Sequence, residues 1–175
     1  WADVVKITGN GSIGIEAGRF YSPLDLSALG VSFLSSTTLM EALQRLRRYE
    51  SIVNSNLTIT LVETEQRVDV LSDANITVKE VSKIHEDIRK SVVLDLCRKG
   101  LEADLNPIEV AFTYPEPEDT SEYAAIFRCP LAFSQPLSRL SFTVDDTRRA
   151  FLTSNREIAL GNDQILDSML RELKD

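Results

Sequence analysis

Few residues in this sequence have the type and spacing for covalent chemistry. His85, the one histidine, stands in a stretch whose apolar residues recur at 81, 84, 88, 92 and 96. A zinc site needs partner ligands at short spacing, and no Cys or His stands near it. The serines occupy helix-cap and turn positions, with no G-x-S-x-G elbow to raise one as a nucleophile. Cys97 and Cys129 are too few for a disulfide framework and read as two reduced, half-buried thiols. The acid pairs Glu116/Glu118 and Asp145/Asp146 fall in loop-like sequence, where solvated charge is the ordinary reading. Gly9-Asn10-Gly11-Ser12-Ile13-Gly14 fits G-x-G-x-x-G. A dinucleotide fold also needs a full-length helix, a second strand and an acid about twenty residues on. Gly18 and Ser22-Pro23 break the helix early, and Asp25 comes too soon. The expectation is no catalytic residue, no metal, no cofactor, and no enzyme.

Binding chemistry is the better candidate. A small-molecule pocket needs mostly apolar walls and a few placed polar groups. Leu26, Phe33, Leu46, Val110 and Phe112 are candidate walls, and Tyr21, Tyr49, His85, Tyr114 and Arg128 candidate polar groups. Three of the polar candidates have a plainer alternative: Tyr49 as a packed core residue, His85 as a core-edge histidine, Arg128 as the partner of a surface acid. The chain has 175 residues, is 43% hydrophobic and carries a formal charge of −8. That suits one domain with a real core, and it argues against this piece gripping a phosphate backbone, which wants clustered Lys and Arg. No apolar run approaches the length of a membrane span.

The elements that would position these residues centre on 33–71. Ser35, Ser36, Thr37 and Thr38 offer oxygens to a helix start, and Glu41 completes a capping box with Thr38. Leu39, Ala42, Leu43, Leu46, Tyr49 and Val53 share one face of that helix; Gln44, Arg45, Arg47 and Arg48 cover the other. Past Asn54 the period drops to two, and 57–71 reads as a hairpin. N-terminal to this, Ser22-Pro23 starts a nearly apolar helix through about Leu34, in which Gly30 permits a close approach. From about Val78 to Lys99 runs a long helix striped by Val81, Ile84, Ile88, Val92 and Leu96, with Lys83, Glu86, Asp87, Arg89 and Lys90 toward water and Gly100 as its C′ residue. Ile108, Val110, Phe112 and Tyr114 alternate as a strand; a short helix through Tyr123 and Phe127 follows, then strands near 131–133 and 138–143 and a helical turn at 145–150. Asn155 to Lys174 forms a last amphipathic helix with Ile158, Ile165, Leu166, Met169, Leu170 and Leu173 on its apolar side and a possible interruption at Gly161-Asn162. The fold class is α+β: a small antiparallel β-sheet packed against long amphipathic helices, with an N-terminal helical layer.

The order of these motifs resembles the N-terminal, arabinose-binding-type effector domain of AraC-family bacterial transcription regulators. The residues that carry it are the helix start from Ser35 to Leu43 followed by Arg48-Tyr49; then Val110, Phe112 and Pro115; then Tyr123, Phe127, Cys129, Pro130 and Phe133. The likeness covers roughly 9–160. It departs at Phe151-Leu152 and Asn155, where the family's proline is lacking. It also implies that the N-terminal residues Trp1, Val4, Val5 and Ile7 form a helix face before a Gly-rich turn. Full regulators of this kind carry two helix-turn-helix units after the sensor, and this chain, starting at Trp1, resembles an excised sensor domain. The resemblance implies a small-molecule effector, a cytoplasmic homodimer, and DNA contact only through the C-terminal region. Residues 1–152 would be the sensing unit and 153–175 a linker helix, whose Ile165, Leu166, Met169, Leu170 and Leu173 would serve the dimer or the link. A ligand-independent dimerisation module is the alternative. The effector pocket would draw on Tyr21, Phe33, Tyr49, His85, Tyr114 and Arg128.

Overall fold

The computed structural model describes residues 11–74 and 79–173, with the side chains of 79–81 outside the description. The expected helix face of Trp1 to Ile7, the first half of the glycine motif, and the side chain of Val81 therefore lie outside the description.

An N-terminal helical layer comes first. It consists of α1 (Ile13–Gly18), a 3₁₀ turn (Pro23–Leu26) and α2 (Ser27–Leu34). Ser22 and Asp25 cap the turn reciprocally: Ser22 Oγ accepts from Leu24 N–H and Asp25 Oδ2 from Ser22 N–H, at 3.3 and 2.7 Å. The single helix expected from Pro23 to Leu34 is thus divided, because Ser27 adopts φ 55° and turns the chain. The two pieces fold against each other at Gly30, where a Cβ would lie 1.9 Å from the Pro23 carbonyl oxygen. Only glycine leaves room for that backbone.

Helix α3 (Leu39–Val53) begins as the sequence predicts. Thr38 Oγ1 accepts from Glu41 N–H at 3.2 Å, and Glu41 Oε2 reaches back to Thr37 N–H at 2.8 Å. Leu39, Ala42, Leu43, Leu46 and Tyr49 are buried, and so is Arg45, which the helical pattern had assigned to the solvent face. The hairpin β1 (Leu57–Glu63) and β2 (Arg67–Ala74) pairs from Leu57↔Ala74 to Glu63↔Val68. With β3 (Glu109–Ala111), β4 (Leu131–Ala132) and β5 (Ser138–Thr143) it makes a five-stranded sheet of order β1-β2-β5-β3-β4. All pairings are antiparallel except β3 with β4. The alternation from 108 to 114 is longer than the strand it marks, since Pro115 and the turn after Phe112 leave only three residues in the ladder.

The longest helix, α4 (Lys79–Leu101), lies against the sheet, where Val93 lines a small gap together with Ile59, Val70 and Leu140. Gly100 is not its C′ residue. Glu102 takes that place with φ 47°, and the bonds Glu102 N–H to Lys99 O and Ala103 N–H to Arg98 O form a Schellman motif. Gly100 sits inside the helix because the Phe151 ring presses on it: a Cβ there would stand 2.4 Å from a ring carbon. After α5 (Ser121–Phe127) and α6 (Val144–Arg148), the chain ends its described part in α7 (Arg156–Glu172). Asn155 caps α7 through Ile158 N–H at 3.1 Å, and the helix runs unbroken through Gly161-Asn162. No described helix is long and apolar enough to cross a membrane.

Candidate ligand-binding site

Between the N-terminal layer, α3, β1 and α4 lies a cavity of about 230 Å³. Leu26 and Leu29, Leu46, Leu57 and Ile59, and Ile88 and Val92 give it apolar walls from four successive parts of the chain. Helical spacing explains the α4 side, since His85, Ile88, Arg89 and Val92 fall three and four residues apart and share one face. The polar residues Tyr21, Glu50, Asn54, His85 and Arg89 also line it.

Two of these carry buried charge without a full set of partners. Glu50 Oε1 accepts from Ile59 N–H at 3.3 Å, but Oε2 has no partner. On Arg89, Nε and Nη1 are both buried and unpartnered. No ion pair joins Glu50 and Arg89 among the described residues, although both line the same space. Burial holds the Glu50 carboxyl above its usual range. Burial, reinforced by the charge of Arg89, pulls the His85 imidazolium down, so His85 is neutral at pH 7.

The next residues of α4 form a second charged group, and here the expected exposure is corrected. Glu86, Asp87 and Lys90 are buried rather than facing water, because Thr113, Tyr114, Tyr123 and Ser138 supply them with polar partners. Lys90 Nζ donates to Glu86 Oε1 at 2.7 Å and to Ser138 Oγ. Glu86 also accepts from Thr113 N–H and Oγ1 at 3.2 and 2.7 Å. Lys83 Nζ donates to Asp87, Tyr123 OH and the Gly11 carbonyl at 2.8, 2.7 and 2.7 Å. Asp87 accepts in addition from the hydroxyls of Tyr123 and Tyr114. Burial alone would raise Glu86, but the Lys90 charge and the bonds from Lys90 and Thr113 hold it below its usual range. Burial brings Lys90 down to about 8. Above the cluster, Phe112 stacks on Phe133 with centroids 5.0 Å apart, and Tyr123 meets Phe112 edge-on.

Of the six residues expected at a pocket, the fold brings Tyr21 and His85 to the cavity. Tyr114 belongs to the Asp87 group. Phe33 is core, its ring centroid 5.9 Å from that of Phe151. Arg128 caps α5 with φ 52° and pairs with Asp104 at the surface at 2.8 Å, the plainer of its two readings. Tyr49 faces away from the cavity, toward α7, and donates to Asp167 Oδ1 at 2.8 Å. Burial and that bond push its hydroxyl up to about 12. Beside it, Arg45 Nε and Nη2 donate to the two oxygens of Asp163, each at 3.0 Å, and Ser32 donates to the same carboxylate. These bonds lock α7 onto α2 and α3. Leu166 is fully buried beneath α7 and Leu170 packs on the core, whereas Ile165 is 54% and Leu173 57% exposed.

Glu50 and Arg89 were not among the expected site residues. A signal existed: Leu39, Leu43, Leu46 and Glu50 fall in one helical row, so Glu50 is an acid on an apolar stripe. Arg89 follows His85 by four and precedes Val92 by three.

An α+β domain with an apolar cavity and a few buried polar groups has the build of a small-molecule sensing domain, and the comparisons give that class a family. Residues 1–151 match the model described as the arabinose-binding domain of AraC transcription regulators, N-terminal. The chain belongs to this family, which is regulatory rather than catalytic. Among solved structures, it is similar to the transcriptional regulator CdpR from Pseudomonas aeruginosa, with a TM-score of 0.79 at 18% identity. The alignment covers 98% of this chain and 57% of that one, so the chain spans little more than half the length of that regulator. At that identity the likeness speaks for the fold. No curated protein matches the chain.

Proposed function

We propose that this domain senses a small-molecule effector in the cavity between α3 and α4, as part of a bacterial, cytoplasmic AraC-type regulator. Occupancy would be passed through α3 to α7. The observation that carries this reading is the placement of adjacent residues on α3: Glu50 faces the cavity, and Tyr49 holds α7 by its bond to Asp167. A ligand that displaces Glu50 acts on the helix that seats α7, and it can bias the docked state only through its different affinity for the two arrangements. DNA would be bound by a helix-turn-helix region outside this chain. In this reading 1–152 is the sensing unit and 153–175 the link.

The exposed edge of α7 supports a role in homodimer contact. Ile158, Ile165 and Leu173 leave apolar surface beside the docked face formed by Ala159, Leu166 and Leu170, with Met169 half-buried between. A dimerisation module without a ligand would use the same edge, but a cavity with apolar walls and convergent polar groups favours sensing. The test is a titration of the full-length regulator with compounds that raise the melting temperature of this domain. Such a compound should change the dimerisation constant or the operator affinity at least fivefold. Compounds that bind the domain and leave both unchanged would remove the sensing role and favour the dimerisation module.

A further inference from the structure

We infer that the cavity takes an apolar carboxylic acid, its carboxylate against Arg89 and a hydrogen-bond donor on the ligand toward Glu50. This rests on the cavity being the effector site. The argument begins from what the fold leaves undone. Arg89 is drawn into the interior on α4, yet Nε and Nη1 have no acceptor. The acids that act on its charge, Glu86, Asp73 and Asp87, do so through space, and none forms an ion pair with it. Their own bonds go elsewhere: Glu86 to Lys90 and Thr113, Asp87 to Lys83 and two tyrosines. A buried guanidinium with free donors is costly unless an anion meets it. One carboxylate supplies both the charge and the acceptors.

The rest of the cavity limits what that anion is attached to. Its walls are leucine, isoleucine and valine, which suits a hydrocarbon body rather than a sugar, whose hydroxyls would each need a partner. Its volume of about 230 Å³ has room for a small acid. Glu50, the second cavity residue with an unpartnered atom, comes from the facing helix α3 and lies in no ion pair with Arg89. An ammonium or hydroxyl on the ligand would satisfy it while the carboxylate stays at Arg89. Lys90, Lys83 and the tyrosines of the neighbouring cluster have partners of their own and offer no competing anion site.

The test is calorimetric titration of this domain with 3-phenylpropionate, 3-phenylpropanamide and L-phenylalanine, which share one skeleton, and with octanoate and octanamide. Each acid should bind at least tenfold tighter than its amide, and Arg89→Gln should erase that preference. L-Phenylalanine should bind tighter than 3-phenylpropionate, and Glu50→Gln should remove the difference. Arg89→Lys, which keeps the charge, should keep part of the acid preference and shows that loss in the Gln variant is not misfolding. Amides that bind as well as acids, or an acid preference that survives Arg89→Gln, would overturn the inference and leave the effector site standing. Binding of none of the five by the wild-type protein at millimolar concentration would count against both.

Discussion

Helix α4 carries two groups of buried charge side by side, and they are built on opposite principles. At Lys83, Glu86, Asp87 and Lys90 every ionised atom meets a partner: each cation has its acid four residues away along the helix, and Thr113, Ser138 and two tyrosines take up the remaining bonds. Arg89 and Glu50, which line the neighbouring cavity, have two buried donors and a buried acceptor without partners. Closed charge of the first kind fixes one arrangement of helix and sheet. Open charge of the second kind lowers the stability of the empty protein and is worth having only if something arrives to complete it. Two adjacent residues of one helix, Arg89 and Lys90, thus have different jobs.

The largest effect should come from breaking the closed group. Lys90→Met leaves Glu86 ionised in a place where both partners are only 3% exposed, and it should cost about 3–5 kcal/mol in urea denaturation. A cost below about 1 kcal/mol would mean that the cluster is wetter than the structure shows. The same substitution one residue earlier, Arg89→Met, should go the other way and raise the stability of the ligand-free domain by about 1 kcal/mol, since it removes unpartnered donors and keeps an apolar side chain of similar length. A loss of stability there would erase the contrast.

The smallest effect is a difference in pH slope. The folded pKa of Glu50 is raised by burial, so the stability it contributes is present below about 4.5 and is lost as pH rises through the raised value. Glu86 is lowered, so its contribution is present above about 4.5 and is lost as pH falls. Glu50→Gln should therefore gain on the wild-type protein as pH climbs from 4.5 toward 7, in denaturation series at matched ionic strength. A gap that stays constant or closes over that range would show that Glu50 carries no strained charge.

Much of this architecture is legible in the sequence, for identifiable reasons. The capping box at Thr38 and Glu41, the change of period at Asn54 and the apolar stripe from Ile84 to Leu96 are local signals, and the elements follow them. Ser27 shows the limit: a left-handed residue inside an otherwise helical run depends on Pro23 and Gly30 meeting in space. The charged residues of α4 show it again. Helical periodicity alone places Glu86, Asp87 and Lys90 on a wet face, and only the arrival of Thr113, Tyr123 and Ser138, from distant parts of the chain, makes their burial tolerable. For the same reason Tyr21 and His85 could be picked out as cavity residues by type, while Tyr49, equally plausible by type, turns to α7 because an aspartate waits there.

That aspartate, with its neighbour Asp163, has a further consequence for how the domain can be read from outside. If cavity occupancy alters the seating of α7, linkage makes the relation reciprocal: whatever loosens α7 must shift ligand affinity by the same factor that the ligand shifts the docking of α7. Arg45 and Tyr49 then act as the two clasps through which a distant domain could tune the cavity without touching it. The effector's affinity would become a property of the whole regulator on its operator, set partly by the company that α7 keeps.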